Sequence, residues 1–134
     1  GDLLVSEGGE VGRTAIWNNE ISECYIQNSV HKVTVHNRMN NYYLLYFLET
    51  YGKNGYLDSI VNRVSIGHLT REKLKEVEIL VPSKDEQREI ADCIDKKASE
   101  IDELVRMIKL QNQKLQEFRQ ALISNVVTGK VKVN

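Results

Sequence analysis

Residues 85–127 read DEQREIADCIDKKASEIDELVRMIKLQNQKLQEFRQALISNVV, and this stretch decides the fold of the chain. It contains neither proline nor glycine, and its apolar residues recur in two sets with a seven-residue period. These are the a and d positions of a heptad repeat, which predicts one continuous α-helix about 65 Å long. The repeat is formed by Ile90, Ile94, Ile101, Leu104, Ile108, Leu115, Phe118 and Leu122. Because the rest of the chain is too small to cover such a helix, we expect a second helix to bury this edge.

Two polar residues, Lys97 and Gln111, occupy d positions of the repeat. Polar residues at such positions weaken pairing, but they restrict its register and the orientation of the partner. The predicted helix-pairing interface, called the seam below, consists of the apolar positions named above together with Gln111. A plain dimerisation coiled coil is the simplest interpretation of this pattern.

Local signals mark both ends of the helix. Ser83 and Glu86 form a capping-box pattern, in which each side chain accepts a hydrogen bond from a backbone N–H of the first turn. Pro82 precedes this pattern and disfavours helical structure upstream. At the other end, Gly129 supplies a left-handed stop. We therefore predict a helical domain over residues 83–128.

The 134 residues suffice for one small domain before this helix, at 1–82, and a short tail, at 129–134. No apolar run of about 18 residues and no signal-peptide pattern occurs, so we expect no membrane partner. Cys24 and Cys93 lie far apart, and we expect reduced thiols and a cytoplasmic location. Neither they nor the histidines show zinc spacing, so no metal and no cofactor is predicted. The chain begins at Gly1 inside a strand-like run, and we expect it to be part of a longer protein.

The formal net charge is −1, which argues against a protein that binds nucleic acid through a generally positive surface. The charge is unevenly distributed, however. Residues 31–75 contain seven basic and three acidic side chains, together with all three histidines. This distribution fits a local positive face, and it also fits an ordinary solvated surface.

The residues before the long helix alternate between strand and helix patterns. Apolar and β-branched runs predict strands at 2–6, 14–17 and 77–81, and a strand pair or one bent strand at 24–35. Helical patterns predict a helix that starts at Asn40 or Asn41 and stops at Gly52, a turn at 56–61, and a helix at 71–76 capped by Thr70. The mixed order predicts an α+β fold with a small, partly antiparallel sheet.

A glycine-rich loop, SEGGEVGR at residues 6–13, joins the first two predicted strands. A phosphate-binding P-loop is excluded, because neither the Gly-Lys-Ser/Thr ending nor a following helix is present. Two interpretations remain: an ordinary β-turn, and a loop whose backbone N–H groups and Arg13 contact a DNA backbone. An enzyme site would need a nucleophile paired with a base, or a metal set, and the sequence shows neither.

Several segments together resemble one known family. HLTREKL at 68–74 and EILVPSKDEQREI at 78–90 resemble the signature of the specificity (S) subunits of type I restriction-modification systems. GDLLV at 1–5 and EGGEVGRTAI at 7–16 are similar to the second half of their target recognition domains, and TGK at 128–130 is similar to the family's ending. The chain departs from the family in having one proline, Pro82, where two are common, and in having Asn28 where a basic residue is common.

The resemblance implies a division of labour. A full S subunit carries two target recognition domains, each reading one half of a split DNA site, and two long helices packed antiparallel set the gap between the half-sites. A helix of about 65 Å spans on the order of two turns of duplex at roughly 34 Å each. This chain would be one partial recognition domain, lacking its N-terminal part, with the C-terminal helix. Methylation and cleavage would belong to the modification and restriction subunits, which would be its partners beside double-stranded DNA.

The resemblance also implies which residues contact DNA. They are Ser6, Gly8, Gly9, Gly12, Arg13, Gln27, Asn28, His31 and Lys32 and, more weakly, Lys53, Arg63, Ser65 and His68. Arginine, glutamine and asparagine can each read a base through two hydrogen bonds. In this chain the missing partner helix could be replaced by a second copy, so we predict an antiparallel coiled-coil homodimer. The alternative is a structural dimerisation module with no role in DNA binding.

Overall fold

The computed structural model describes residues 1–61 and 67–132. Its elements in chain order are β1 (Leu3–Ser6), β2 (Thr14–Ile16), β3 (Val30–Val33), α1 (Asn41–Lys53), α2 (Tyr56–Ile60), α3 (Arg71–Lys75) and α4 (Lys84–Val127). The predicted α+β class is confirmed. The chain divides into two compact units, Gly1–Asp92 and Cys93–Asn134, and the first includes the opening turns of α4.

The sheet is antiparallel and has the strand order β2-β1-β3. In the central strand Leu3 and Val5 are fully buried, whereas Leu4 between them is only partly buried. This alternation is the two-residue period of a strand with one face on a core. The predicted hairpin of the first two strands is confirmed.

Residues 24–35 contain a single short strand, β3, so the longer strand or strand pair predicted there is wrong. The Val30 N–H donates to the carbonyl of Gln27 (3.0 Å), and this turn delays the start of the strand. Upstream of the turn, Tyr25 is 83% exposed and has no ladder partner in the described part of the chain. A β-rich sequence forms a strand only where a neighbouring strand meets it.

Residues 77–81 also form no strand, which corrects the prediction for that run. Helix α1 lies beside them, and two of its tyrosine hydroxyls donate to backbone carbonyls that a neighbouring strand would otherwise bond. Tyr43 donates to the carbonyl of Leu80 (2.9 Å) and Tyr51 to that of Glu78 (3.3 Å). The segment is extended, and it packs Val77 and Ile79 against the core.

Asn40 caps α1, as predicted, because its Oδ1 accepts the Tyr43 N–H (3.0 Å). The predicted stop at Gly52 is wrong, since the helix continues through this residue to Lys53. A Cβ at Gly52 would lie 3.1 Å from the carbonyl oxygen of Val11 in the β1–β2 loop. Glycine is therefore placed there for the close approach of that loop, and not for a helix end.

The core of the first unit gathers side chains from the sheet, from α1 and α2, and from the segment before α3. Its buried members are Leu3, Val5, Leu44, Leu48, Leu57, Val61 and Leu69. The predicted turn at 56–61 and the helix capped by Thr70 are both present, as α2 and α3. The β1–β2 loop packs against α1 at Gly52 and against α2 at Leu57.

Helix α4 is continuous over 44 residues, which confirms the length predicted from the heptads. Ser83 Oγ accepts the Glu86 N–H (3.3 Å) at its start. At its end Gly129 has φ +73°, its N–H donates to Val126 O (3.1 Å), and Lys130 N–H donates to Asn125 O (2.9 Å). This pair of bonds is a Schellman motif. None of the helices in the described ranges is both long enough and apolar enough to cross a membrane.

Candidate nucleic-acid interface

The β1–β2 loop is a compact turn whose backbone is hydrogen-bonded across its base. Ser6 N–H donates to Arg13 O (2.9 Å), and Gly12 N–H donates to Ser6 O (3.1 Å). Gly12 has φ +78°, and a Cβ on it would collide with the Leu57 side chain. The predicted glycine loop therefore has two structural requirements at Gly12, a left-handed backbone and contact with the core.

One side of the loop faces a groove of about 400 Å³ that four of the predicted residues share. They are Gly8, Gly9, Asn28 and His68, and Glu7 and Ser29 complete the lining. Glu7 N–H donates to Ser29 O (2.9 Å), and Glu7 O accepts the Leu69 N–H (2.7 Å). Through these two bonds three segments distant in sequence meet at this groove.

The other side of the loop faces a second groove of about 300 Å³, which includes Gly9, Gly12, Arg13 and Lys53. Its two cations are accompanied by three acids, Glu10, Glu49 and Asp58. Arg13 pairs with Glu10 (3.1 Å) and Lys53 with Glu49 (3.7 Å). Exposed ion pairs of this kind contribute little to stability, so both cations can exchange their partners for a phosphate at small cost.

His31 and His68 flank one carboxylate, that of Glu7. His31 Nε2 lies 2.6 Å from the carbonyl oxygen of Leu69 and 3.8 Å from the Glu7 carboxylate, and its side chain is 15% exposed. His68 Nδ1 also lies 3.8 Å from Glu7, but its side chain is 55% exposed. His31 therefore ties strand β3 to the segment before α3, while His68 is open to a ligand.

Lys32 lies on the other face of the sheet. Successive residues of a strand point to opposite faces, and Lys32 pairs with Leu4 while His31 pairs with the buried Val5. The Lys32 ammonium contacts the Asp2 carboxylate (3.0 Å), which also accepts a hydrogen bond from Thr34 (2.7 Å). The Thr34 hydrogen bond and the Lys32 contact hold the pKa of Asp2 below its ordinary value.

The remaining predicted residues differ in how open they are. Ser6 Oγ donates to Gly8 O (2.8 Å) within the loop, so this hydroxyl already has a partner. Gln27 is exposed beside Asn28. Arg63 and Ser65 lie outside the described residues. Glu7 was not among the residues predicted from the sequence, although the carboxylate of Glu7 faces both His31 and His68. Its position inside the glycine loop could have suggested a role, but the two histidines come from distant segments.

The arrangement offers amide, imidazole, guanidinium and ammonium groups around one glycine turn, together with backbone groups that a ligand can approach. Such groups hydrogen-bond to base edges and to phosphates. Across residues 1–61 and 67–132, no three His, Cys, Asp or Glu side chains are placed to hold a metal ion. The amide, imidazole, guanidinium and ammonium groups around the loop suit recognition through hydrogen bonds and charge.

The seam of α4 is the second candidate interface. Its apolar side chains are exposed along the described helix, with exposed fractions that reach 64% at Leu115 and 68% at Phe118. The others are Ile90, Ile94, Ile101, Leu104, Ile108 and Leu122, and Gln111 is exposed among them. A regular apolar stripe of this length is the surface that a partner helix covers in a coiled coil.

Comparison with known proteins identifies the family of the chain. Residues 1–118 match the family described as the type I restriction modification DNA specificity domain. The chain is 28% identical over 133 residues to the EcoBI type I restriction enzyme specificity subunit of Escherichia coli, and the match covers 97% of this chain and 27% of that protein. No solved structure matches the chain. Because the family match includes the whole globular unit and most of α4, the chain belongs to the type I restriction-modification DNA specificity domain family.

Proposed function

We propose that this chain recognises DNA in a type I restriction-modification complex, where it reads one half of a bipartite target. The observation that carries the proposal is the family match over residues 1–118, which includes the glycine loop and most of a continuous 44-residue helix. Recognition and spacing are the roles of this chain in the proposal, while methylation and cleavage belong to the modification and restriction subunits that it docks.

The proposed DNA-reading surface, called the loop surface below, surrounds the β1–β2 loop. It consists of Gly8, Gly9, Gly12, Arg13, Gln27, Asn28, Lys53 and His68. Asn28 and Gln27 supply paired donors and acceptors, which suit base edges in the major groove. The glycines let a phosphate approach the backbone N–H groups without a side chain in the way. His31 and Lys32 stand outside this surface, the first because it is largely buried and the second because it lies on the opposite face.

Arg13 and Lys53 are the proposed phosphate contacts. Each is more than two-thirds exposed and paired with an acid on its own segment. A duplex offers each cation a phosphate and releases condensed counterions, which favours exchange of the intramolecular partner at low salt. The paired acids keep the free surface near neutral, which agrees with the net charge of −1.

The proposed role of α4 is to pair antiparallel with a second long helix and thereby set the distance between two reading units. Burying one seam side chain of this size contributes about 1.5–3 kcal/mol, so several together are sufficient to hold two helices. In this chain alone the partner is a second copy, and we propose an antiparallel homodimer. Sedimentation as a monomer at micromolar concentration would count against the pairing.

The decisive experiment is to map the DNA methylation that a complex carrying this sequence produces. We expect methylated sites that share a bipartite sequence with a fixed gap. Changing Asn28 or Arg13 should relax or weaken recognition in one half-site and leave the other half-site and the gap unchanged. Methylation without any common bipartite sequence would refute the proposal.

A second candidate function is a structural dimerisation module without a DNA role. The exposed seam favours it, since that stripe alone would produce pairing. The two functions differ in their response to salt. A reading subunit loses DNA affinity steeply as the salt concentration rises, whereas a purely structural module shows no specific DNA binding at any salt concentration.

A further inference from the structure

Helix α4 is attached to the globular unit through one fully buried glutamine. Gln87 lies in the first turn of the helix and is completely shielded from solvent. Its Oε1 accepts the backbone N–H of Asn40 (2.7 Å). Its Nε2 donates to the carbonyls of Arg38 (3.0 Å) and Pro82 (2.9 Å). Every polar atom of this side chain therefore has a backbone partner.

The partners of Gln87 belong to two different elements. Asn40 is the N-cap of α1, and Pro82 ends the extended segment that leads into α4. Gln87 thus joins the starts of the two helices. Ala91, one turn later, is the other buried residue of α4. The first two turns of α4 lie within the unit Gly1–Asp92. Among the described residues, the side chain of Gln87 supplies hydrogen bonds that join these turns to the start of α1.

We infer that Gln87 is a positioning residue that determines the spacing specificity of the protein without touching DNA. The inference rests on the proposed function, in which α4 measures the gap between two half-sites. A helix measures distance only if its first turn is held at a fixed angle. Because α4 is one unbroken helix of 44 residues, a change of angle at Gln87 is transmitted along its length.

The size of the effect follows from the length of the helix. For 44 residues at 1.5 Å each, a tilt of 10° at the first turn moves the last turn by roughly 11 Å. The part of this sideways displacement that lies along the duplex shifts the second reading unit relative to base pairs spaced by roughly 3.4 Å. A loosened first turn therefore weakens the discrimination between targets whose gaps differ by one base pair.

Glutamine is the side chain that this position requires. The site presents one backbone N–H and two carbonyl oxygens, so it needs one acceptor and one amide donor group. Leucine in this place would leave all three backbone groups without a partner, and glutamate would place a carboxylate oxygen against two carbonyls. Both changes loosen the attachment while the core residues of the globule stay in place.

The direct test measures the angle without DNA. Spin labels are attached to cysteines introduced at Thr50 on α1 and Gln113 on the outer side of α4, after Cys24 and Cys93 are replaced by serine. An excess of unlabelled chain prevents signals between two labelled copies. We expect Gln87→Leu and Gln87→Glu to widen the distance distribution by about twofold or more. Gln120→Leu, on the exposed outer side of α4, is the matched control and should leave the width unchanged.

Two further readouts remove ambiguity about folding. Circular dichroism must show that the variants retain the native helix content. In the unchanged protein, the Asn40 amide should exchange with deuterium as slowly as the amides of the core, because it donates to a buried acceptor. An unchanged distance distribution in both folded variants, or fast exchange at Asn40, would overturn the inference.

The consequence for specificity is tested in the complex with its modification subunit. Plasmids carrying the target with the native gap, and with one base pair more or less, are methylated in competition. We expect Gln87→Leu to reduce the preference for the native gap by about three- to tenfold and to leave the half-site sequences unchanged. If the unchanged complex methylates no bipartite site, the proposed function fails. If it does, and the variant keeps its gap preference, the role of Gln87 fails.

Discussion

The two compact units of this chain differ in where their apolar side chains lie. The first unit, Gly1–Asp92, has a core in which the side chains of Leu3, Leu57 and Leu69 are completely buried. From Cys93 onward no described residue is buried, although apolar side chains recur along α4 through Leu122. The first unit buries an apolar core of its own, whereas the second carries its apolar side chains exposed and in a regular order along the helix.

Two ion pairs link charged side chains along α4. Lys97 pairs with Glu100 (2.8 Å) and Arg106 with Glu103 (2.6 Å), each with a residue one turn away. Such pairs stabilise an isolated helix by about 0.2–0.5 kcal/mol each. This is small beside the roughly 1.5–3 kcal/mol that burial of one seam side chain would contribute, so the proposed pairing would stabilise α4 more than these ion pairs do.

The largest expected effect tests whether the globule depends on its own core. Leu57→Ala should lower the free energy of unfolding by about 3 kcal/mol, because it opens a cavity at a fully buried position. Urea unfolding followed through the single tryptophan, Trp17, measures this change. Leu80→Ala, at a position that is 76% exposed, is the control and should change it by less than about 0.5 kcal/mol. Equal effects of the two substitutions would contradict the assigned core.

The next prediction concerns the seam. Ile108→Asp should weaken helix pairing by about a hundredfold in Kd, since it places a charge where the partner helix must pack. Sedimentation equilibrium measures the change, and Trp17 should report the same globule stability as before. Gln120→Asp, at an outer position, should leave pairing within about twofold. Pairing that survives Ile108→Asp would mean that the helix uses another face.

A smaller effect is expected at the polar surface of the globule. Arg13→Ala should weaken DNA binding by about three- to fivefold at low salt and reduce the salt dependence by one phosphate contact. Lys32→Ala is the matched control, because it removes a cation from the opposite face of the sheet. Binding isotherms at several salt concentrations measure both. A larger loss with Lys32→Ala than with Arg13→Ala would place the DNA on the other face.

The smallest effect concerns Asp2 at acidic pH. Its pKa in the folded protein is lower than its ordinary value of 3.8, so its contribution to stability is present above that pH and is lost as the pH falls through the lower folded value. Asp2→Asn should therefore make the stability of the globule less dependent on pH below about 4. Urea midpoints at pH 5 and pH 2.5, with Asp102→Asn as the control, test this. Parallel pH profiles of Asp2→Asn and the unchanged protein would refute the assignment.

Predictions from the sequence succeeded where the signals are local. The hairpin, the Asn40 cap, the short helix after Thr70 and both ends of α4 follow from turn, cap and period patterns of a few residues. They failed where a distant partner decides. Residues 77–81 have strand composition, but the tyrosines of α1 occupy their carbonyls. Gly52 resembles a helix stop in the sequence, but glycine is needed there because the backbone of Val11 packs closely against it.

The candidate site shows the same division. The residues implied by the resemblance include those that gather around the β1–β2 loop, such as Arg13 and Asn28. The sequence did not reveal which of His31 and Lys32 lies on the face of the buried Val5, because this depends on how β3 pairs with β1. Nor did it reveal that Glu7 faces two histidines, since that contact joins three separate segments.

The sequence by itself determined the length of α4, its caps and the apolar stripe along it, because helical periodicity and capping involve residues within one or two turns of each other. Only the tertiary structure decided which groups meet at Gln87, which face of the sheet carries Lys32, and which segments close around the glycine loop. These contacts join residues far apart in the chain, and their partners are fixed by packing and not by neighbouring sequence.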